Sequence, residues 1–375
     1  MSNQLGGLAR KASYIQKHKA ELDGALVVDA GDLLTPAGPG MLKGVTARED
    51  IAARAAFLAG AEAAIGLDAV AVGERDLALG LRELKRLATA HRLRLLAANL
   101  ADRAGKPAFE ASYVAQVAGE KVGLFGLTDV AETQRAPITE AGLTIQPVAP
   151  AAERQVARLR AAGATIIVAL AHVGMPAARE LMRSVKGIDL AIVGHTSNVI
   201  GTPERIGDGY LVEAQRQGKQ LGEFRLHLVP GGGAFVDRGQ RRGLTDQLAA
   251  SRREYERLAR QIERDTVEKR RALYRASLDR VRTTLEQTCA RLHEPAPAIA
   301  GRWLEHRLVP MDRTTGDDPA VAARVTKHME DLARAAAKRP PPPPGAHRAP
   351  GARPVTDVAT KALRPSGPRP TAAPR

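Results

Sequence analysis

The sequence predicts an α/β fold, a β-sheet core flanked by helices, with a long charged helical segment and a Pro/Arg-rich tail after it. Three observations carry this. Short continuous apolar runs alternate with amphipathic stretches over the first two thirds of the chain, the sequence form of parallel strands buried on both faces and covered by helices. Four of these runs end in an ionisable residue: Val27-Val28-Asp29-Ala30-Gly31-Asp32, Asp68-Ala69-Val70-Ala71-Val72-Gly73-Glu74, Thr165 to His172, and Ile188 to His195. From Thr245 to Leu292 there is neither proline nor glycine, and charge is dense.

In chain order, Leu8 to Leu22 has helical spacing, with Leu8, Ala12, Ile15 and Ala20 near one face. The Asp32 strand follows. Thr46-Ala47-Arg48-Glu49 resembles a capping box and opens a helix to Ile65, which Gly66 ends. After the Glu74 strand come a helix over Leu79–His91 and a strand at Leu93–Asn99. Ala111–Val117 and Lys121–Leu127, separated by Gly119-Glu120, read as a hairpin. Helices at Pro150–Ala162 and Pro176–Lys186 precede the two histidine strands. Short strands at Val199–Ile206, Tyr210–Ala214 and Gln220–Val229 complete a first domain, residues 1–237. Residues 245–293 read as one long helix with a skip or an antiparallel pair, since Tyr255, Leu258 and Ile262 are out of phase with Tyr274, Leu278, Val281, Leu285 and Leu292. Such a segment packs on itself, over a surface or against a second copy. Residues 294–338 read as a linker plus a short helix, and 339–375 as a disordered basic Pro-rich tail.

The composition excludes several functions. The single cysteine, Cys289, rules out an internal disulfide, a Cys-rich zinc site and a CxxC redox pair, and its place on an apolar stripe makes it a packing residue. No apolar run approaches the roughly 18 residues of a membrane span, and Met1–Gly7 lacks the apolar core of a signal peptide, which leaves the compartment open. The net charge of +15 is partly gathered in the tail, which carries seven Lys/Arg against Asp357. That tail has no aromatic residue on which bases could stack, so specific nucleic-acid binding is not expected.

If the four strands are parallel neighbours, Asp32, Glu74, His172 and His195 gather along one rim of the sheet, where open α/β sheets hold their ligands. Two carboxylates and two imidazoles suit one divalent transition metal, Mn²⁺ or Zn²⁺ before Mg²⁺. His91, His227, His293, His306, His328 and His347 fit no motif and are expected at the surface.

These motifs resemble, in order over about residues 5–230, the metal-binding domain of the bacterial 5′-nucleotidases, within the calcineurin-like metallophosphoesterases. The likeness rests on Gly6 to Ile15, Val28-Asp29-Ala30-Gly31-Asp32, Gly66 to Gly73, Lys121 to Thr128, Leu170-Ala171-His172-Val173-Gly174 and Gly187 to His195. It implies hydrolysis of nucleotides or other phosphate esters, and export to the periplasm if the true start lies upstream. The departures imply a shortened, degenerate member. The Asp-x-His strand that opens the family's domain is absent from the sequence, Glu74-Arg75 replaces Asn-His, and Gly194-His195-Thr196-Ser197 replaces Gly-His-x-His. By that correspondence one metal keeps Asp32, His172 and His195, with Glu74 in place of asparagine, and the other keeps Asp32 alone. Arg75, which cannot act as a general acid, remains as a phosphate contact. The expectation is a phosphoesterase with activity impaired or lost, the alternative a non-catalytic metal- or ligand-binding scaffold.

Overall fold

The computed structural model describes residues 7–35, 48–195, 200–214, 218–229, 233–294 and 301–338. The capping residues Thr46 and Ala47, Thr196-Ser197 and the basic tail lie outside these residues.

Helix α1 (Leu8–Lys19) buries Ala9, Ala12 and Ile15, and ends on Lys17, His18 and Lys19, cations that suit the negative end of the helix dipole. Strand β1 (Val28–Asp29), helix α2 (Arg48–Ile65), strand β2 (Ala69–Ala71), helix α3 (Leu81–His91) and strand β3 (Leu95–Leu96) form an all-parallel three-stranded sheet in the order β1-β2-β3. The apolar runs in the sequence are longer than these ladders. Only Val28 and Asp29 of the first run find ladder partners, opposite Ala69 and Val70.

A second sheet follows. Strand β4 (Leu100–Asp102) leads into the hairpin of β5 (Ser112–Val117) and β6 (Glu120–Thr128), turned by Ala118 and Gly119 with φ of 49° and 82°, the left-handed pair of a tight two-residue turn. Helix α4 (Ala136–Glu140) and strand β7 (Leu143–Ile145), which pairs with β4 in a separate two-stranded ladder, lead on to helix α5 (Val148–Ala161), strand β8 (Ile166–His172), helix α6 (Gly174–Ser184), and strands β9 (Leu190–Val193), β10 (Ile200–Ile206) and β11 (Gly209–Glu213), which complete the second sheet. The order is β10-β11-β9-β8-β6-β5, parallel from β11 to β6 and antiparallel at both edges. Every residue of β8 is buried, as its unbroken apolar run requires.

The expectation of one rim on one sheet is corrected here. The strands ending near Asp32 and Glu74 belong to the first sheet, and those ending near His172 and His195 to the second. The two sheets pack face to face through a shared core of Ala69, Ala71 and Leu96 against Leu124, Ile166, Val168 and Leu170. Helices α2 and α3 cover the outer face of the first sheet, and α5 and α6 that of the second. Contact between the sheets is close enough that a Cβ added at Gly126 of β6 would lie 2.0 Å from the backbone oxygen of Leu96.

A third sheet, of strands β12 (Gln220–His227), β13 (Val236–Asp237) and β14 (Trp303–Pro310), has the order β12-β14-β13. Between β13 and β14, helices α7 (Gln240–Arg264) and α8 (Glu268–His293) pack together. Arg241 at the start of α7 donates to the Glu294 oxygen just past α8, so the pair is antiparallel. Trp303–Pro310 falls in the expected linker yet pairs with β12 along its whole length. Its Trp-Leu-Glu-His-Arg-Leu-Val-Pro lacks the period-two alternation that marks a half-buried strand. Helix α9 (Pro319–Ala337), capped by Asp318, which accepts from the Val321 N–H, packs Val321, Ala322 and Val325 into the core beside α1 and α2. Of the histidines expected at the surface, His227 is exposed and stacks on Trp303, while His328 and His306 are half-buried, His328 stacked on Phe57 and His306 tilted against Phe224.

Candidate metal centre

The chain leaves β1 through Ala30-Gly31 and presents Asp32 in the left-handed region, at φ 59°. Two devices hold it there. The buried Asp76 carboxylate accepts the N–H groups of Asp32, Leu34 and Gly73 at 2.9, 2.9 and 3.1 Å. In return the Arg75 N–H donates to Asp32 Oδ1 at 2.9 Å. This clip ties the loop after β1 to the loop after β2 and presents Asp32 and Glu74 together. Sequence reasoning gives Asp76 no part; its signal is a carboxylate two residues beyond Glu74, at a position that turns out to be buried.

From the second sheet, β8 ends on His172, with no exposed surface. Its Nδ1 lies 2.8 Å from the Ala30 carbonyl, which can only accept, so that nitrogen carries the proton and Nε2 faces the carboxylates. His172 Nε2 is 2.8 Å from Glu74 Oε2 and 3.6 Å from Asp32 Oδ2. His195, just past β9 at φ 62°, places Nδ1 at 3.3 Å from Glu74 Oε2, and its Nε2 meets Gln134 Oε1 at 3.2 Å. Gln134 is a second residue that sequence reasoning misses.

Asp32, Glu74, His172 and His195 thus offer four donor atoms all within 4.8 Å of one another, and they are the one such cluster among the described residues. Tetrahedral coordination with bonds of about 2.1 Å sets donors about 3.4 Å apart, so two imidazole nitrogens and two carboxylate oxygens at these separations fit one divalent ion. Asp29, the other carboxylate of the first motif, is not part of the cluster. It accepts the Gly31 N–H and is influenced by Lys11, which pairs with the buried Glu62 at 2.6 Å.

The charges here are strongly coupled. Burial disfavours the imidazolium of His172, but its hydrogen bond to Glu74 and the charges of Asp32 and Glu74 overcome this and raise its pKa to about 9. Burial likewise works against the Glu74 carboxylate, and His172 and His195 hold it below the usual range despite that. Asp32 is raised by burial and by Glu74. Burial and the nearby Asp32 push Asp76 up to about 7. A proton on His172 therefore balances the carboxylates where a metal cation would. Arg75 stands at the solvent side, its Nε 3.4 Å from Asp32 Oδ2 and 3.5 Å from Glu74 Oε1. Beside His195 opens a cavity of about 470 Å³ lined by Asp129, Gln134, Arg135 and the first residues of α6.

No family model matches the chain. It is 27% identical over 248 residues to the probable 5′-nucleotidase of Treponema pallidum, a match spanning 59% of this chain and 40% of that protein. Its fold is similar to the calcineurin-like phosphoesterase YfkN of Bacillus subtilis, with a TM-score of 0.60 and 18% identity over 90% of this chain and 92% of that one. The 5′-nucleotidase precursor of Thermus thermophilus gives the same TM-score and identity, over 88% of this chain and 54% of that one. The chain is similar in sequence to 5′-nucleotidases and in fold to calcineurin-like phosphoesterases. All five residues singled out from sequence, Asp32, Glu74, Arg75, His172 and His195, meet at one point. The chain spans less than half the length of the Treponema 5′-nucleotidase it matches.

Proposed function

We propose that this chain is a phosphoesterase of 5′-nucleotidase type built around a single divalent metal ion, Mn²⁺ or Zn²⁺, with weak turnover of nucleotides. The observation that carries the reading is the convergence of four metal-type donors from the ends of four strands in two sheets. A bound ion would supply Lewis-acid polarisation of a phosphoryl oxygen and a more acidic water.

The residues present limit this chemistry. His172 is held in the metal-ready tautomer by Ala30, and Asp76 and the Arg75 N–H hold Asp32 in place. Asp32 Oδ1 already accepts the Arg75 N–H, and among the described residues no second donor cluster stands beside Asp32, which supports one ion rather than the two-ion clamp that such chemistry otherwise uses. Arg75 stands where the family carries a histidine, and a guanidinium does not give up a proton. The loss of a general acid alone costs about 10²–10⁴-fold. Esters with poor leaving groups, such as nucleoside monophosphates, should suffer most, and aryl phosphates least. Export fits the likeness to a 5′-nucleotidase precursor.

The test is hydrolysis of AMP and of an aryl phosphate with Mn²⁺, comparing the chain with its Asp32→Ala variant. A slow aryl-phosphate activity lost in the variant supports the reading. Fast AMP hydrolysis lost in the variant would show a complete nucleotidase, and equal background in both would favour a non-catalytic scaffold.

A further inference from the structure

Arg75 acts on the centre through both its backbone and its side chain. Its two ends both act on Asp32: the backbone N–H holds Oδ1 at 2.9 Å, and the side-chain Nε lies 3.4 Å from Oδ2. The same Nε is 3.5 Å from Glu74 Oε1, so one guanidinium leans on both carboxylates. It does so from outside. The Arg75 side chain is 38% exposed, against 13% for Asp32 and 4% for Glu74. With Nε turned to the carboxylates, the two Nη groups remain as a fork that matches two oxygens of a phosphate.

We propose that Arg75 is the built-in second cation of this centre: it restricts Asp32 to one metal ion and, beside that ion, docks the dianionic phosphate group of a monoester. The inference rests on the single-ion reading of the centre. The charge count supports it. Among the groups that would touch the ion or the anion, two carboxylates balance one divalent ion, the two imidazoles are neutral when they ligate, and Arg75 adds one positive charge at the open side; the Asp76 carboxylate lies behind Asp32 with its oxygens taken by backbone N–H groups. A fixed guanidinium provides this with no ligand set of its own, and among the described residues no second donor cluster stands beside Asp32.

This role gives a crossed signature that a purely structural arginine would not. A positive charge a few ångströms from a metal ion weakens the ion's binding and strengthens that of an anion. In the full chain, calorimetry with Mn²⁺ alone and then with inorganic phosphate at saturating Mn²⁺ separates the two. For Arg75→Ala we expect Mn²⁺ to bind about tenfold tighter and phosphate about 10- to 100-fold weaker. Arg75→Gln, which keeps much of the length without the charge, should behave the same way and guards against loss of packing. Weaker binding of both ions in both variants would show a supporting role and overturn the proposal, as would unchanged phosphate affinity. Failure of the wild-type chain to bind Mn²⁺ would bring down the metal reading and this proposal together. Wild-type Mn²⁺ binding with no crossed effect would bring down this proposal alone.

Discussion

Replacing Gly126 by alanine tests whether the metal centre depends on how closely the two sheets approach. A Cβ at this position would lie 2.0 Å from the Leu96 oxygen and 2.4 Å from its carbonyl carbon, whereas ordinary contact begins near 3.4 Å. Both obstructing atoms are backbone, so no rotamer change relieves the clash, and β3 and β6 must part by about 1.4 Å in a close-packed interior. Overpacking in a core typically costs 1–3 kcal/mol, and a backbone clash of this depth should cost about 3 kcal/mol or more. For a domain of this size that is a fall in Tm of roughly 6–12 °C. The functional effect should be as large. Asp32 and Glu74 follow strands of one sheet and His172 and His195 strands of the other, while metal–ligand distances tolerate only about ±0.2 Å. Mn²⁺ affinity should therefore fall at least about tenfold. Thermal melts by circular dichroism and Mn²⁺ calorimetry measure both. Gly222→Ala in β12 is the control, since its new Cβ would meet only His306 Nε2 at 3.4 Å. A Gly126→Ala protein melting within about 1 °C of wild type, with unchanged Mn²⁺ affinity, would refute the argument.

Asp32→Ala and His172→Ala should each abolish Mn²⁺ binding, seen as loss of the single calorimetric transition, because each removes one of four donors. Glu223 predicts an acid-dependent stability. Burial raises its pKa, but hydrogen bonds from Tyr14, Arg307 and Arg225 outweigh it and hold the group near 2, below its ordinary 4.5. The stability from this depressed pKa is present above about pH 4.5 and is lost as pH falls toward 2; solvent screening keeps it to about 1 kcal/mol. The Tm gap between wild type and Glu223→Gln should accordingly shrink between pH 6 and about pH 2.5, and a gap independent of pH would contradict the assignment. In the helical pair, Leu258→Ala should cost about 2–3 kcal/mol, since Leu258 is 4% exposed, whereas Leu273→Ala, at a residue 64% exposed, should cost under about 0.5 kcal/mol. A larger loss at Leu273 together with a dimer in sedimentation would mean that a second copy covers it.

The residues of the centre were legible because their chemistry is at odds with their setting. An aspartate, a glutamate and two histidines at the ends of apolar strands have no packing purpose, and this singled out Asp32, Glu74, His172 and His195. The division of those strands between two sheets was not legible. A strand buried on both faces reads alike whether a helix or another sheet covers it, and Ala69, Ala71 and Gly126 reveal the close sheet contact only when seen in three dimensions. Asp76 escaped notice because its work is done on backbone N–H groups, which carry no sequence signal. Gln134 comes from a single 3-10 turn after β6, too short for periodicity to mark. Strand β14 was hidden by its mixed pattern and by its distance from β12, its partner on the far side of both long helices.

That distance has a consequence for how the chain assembles. Strand β12 is synthesised long before β14, and their sheet closes only when the ends of a loop of more than sixty residues meet. The α7–α8 pair rests on contacts near in sequence, so it can form early, and its Arg241–Glu294 bond then holds the start and end of the loop together. Once it has formed, the segment still to be closed behaves as about twenty residues, and the entropy opposing closure drops by roughly 1 kcal/mol. The helical pair thereby acts as a folding catalyst in cis, and shortening it should slow refolding more than its effect on Tm would suggest.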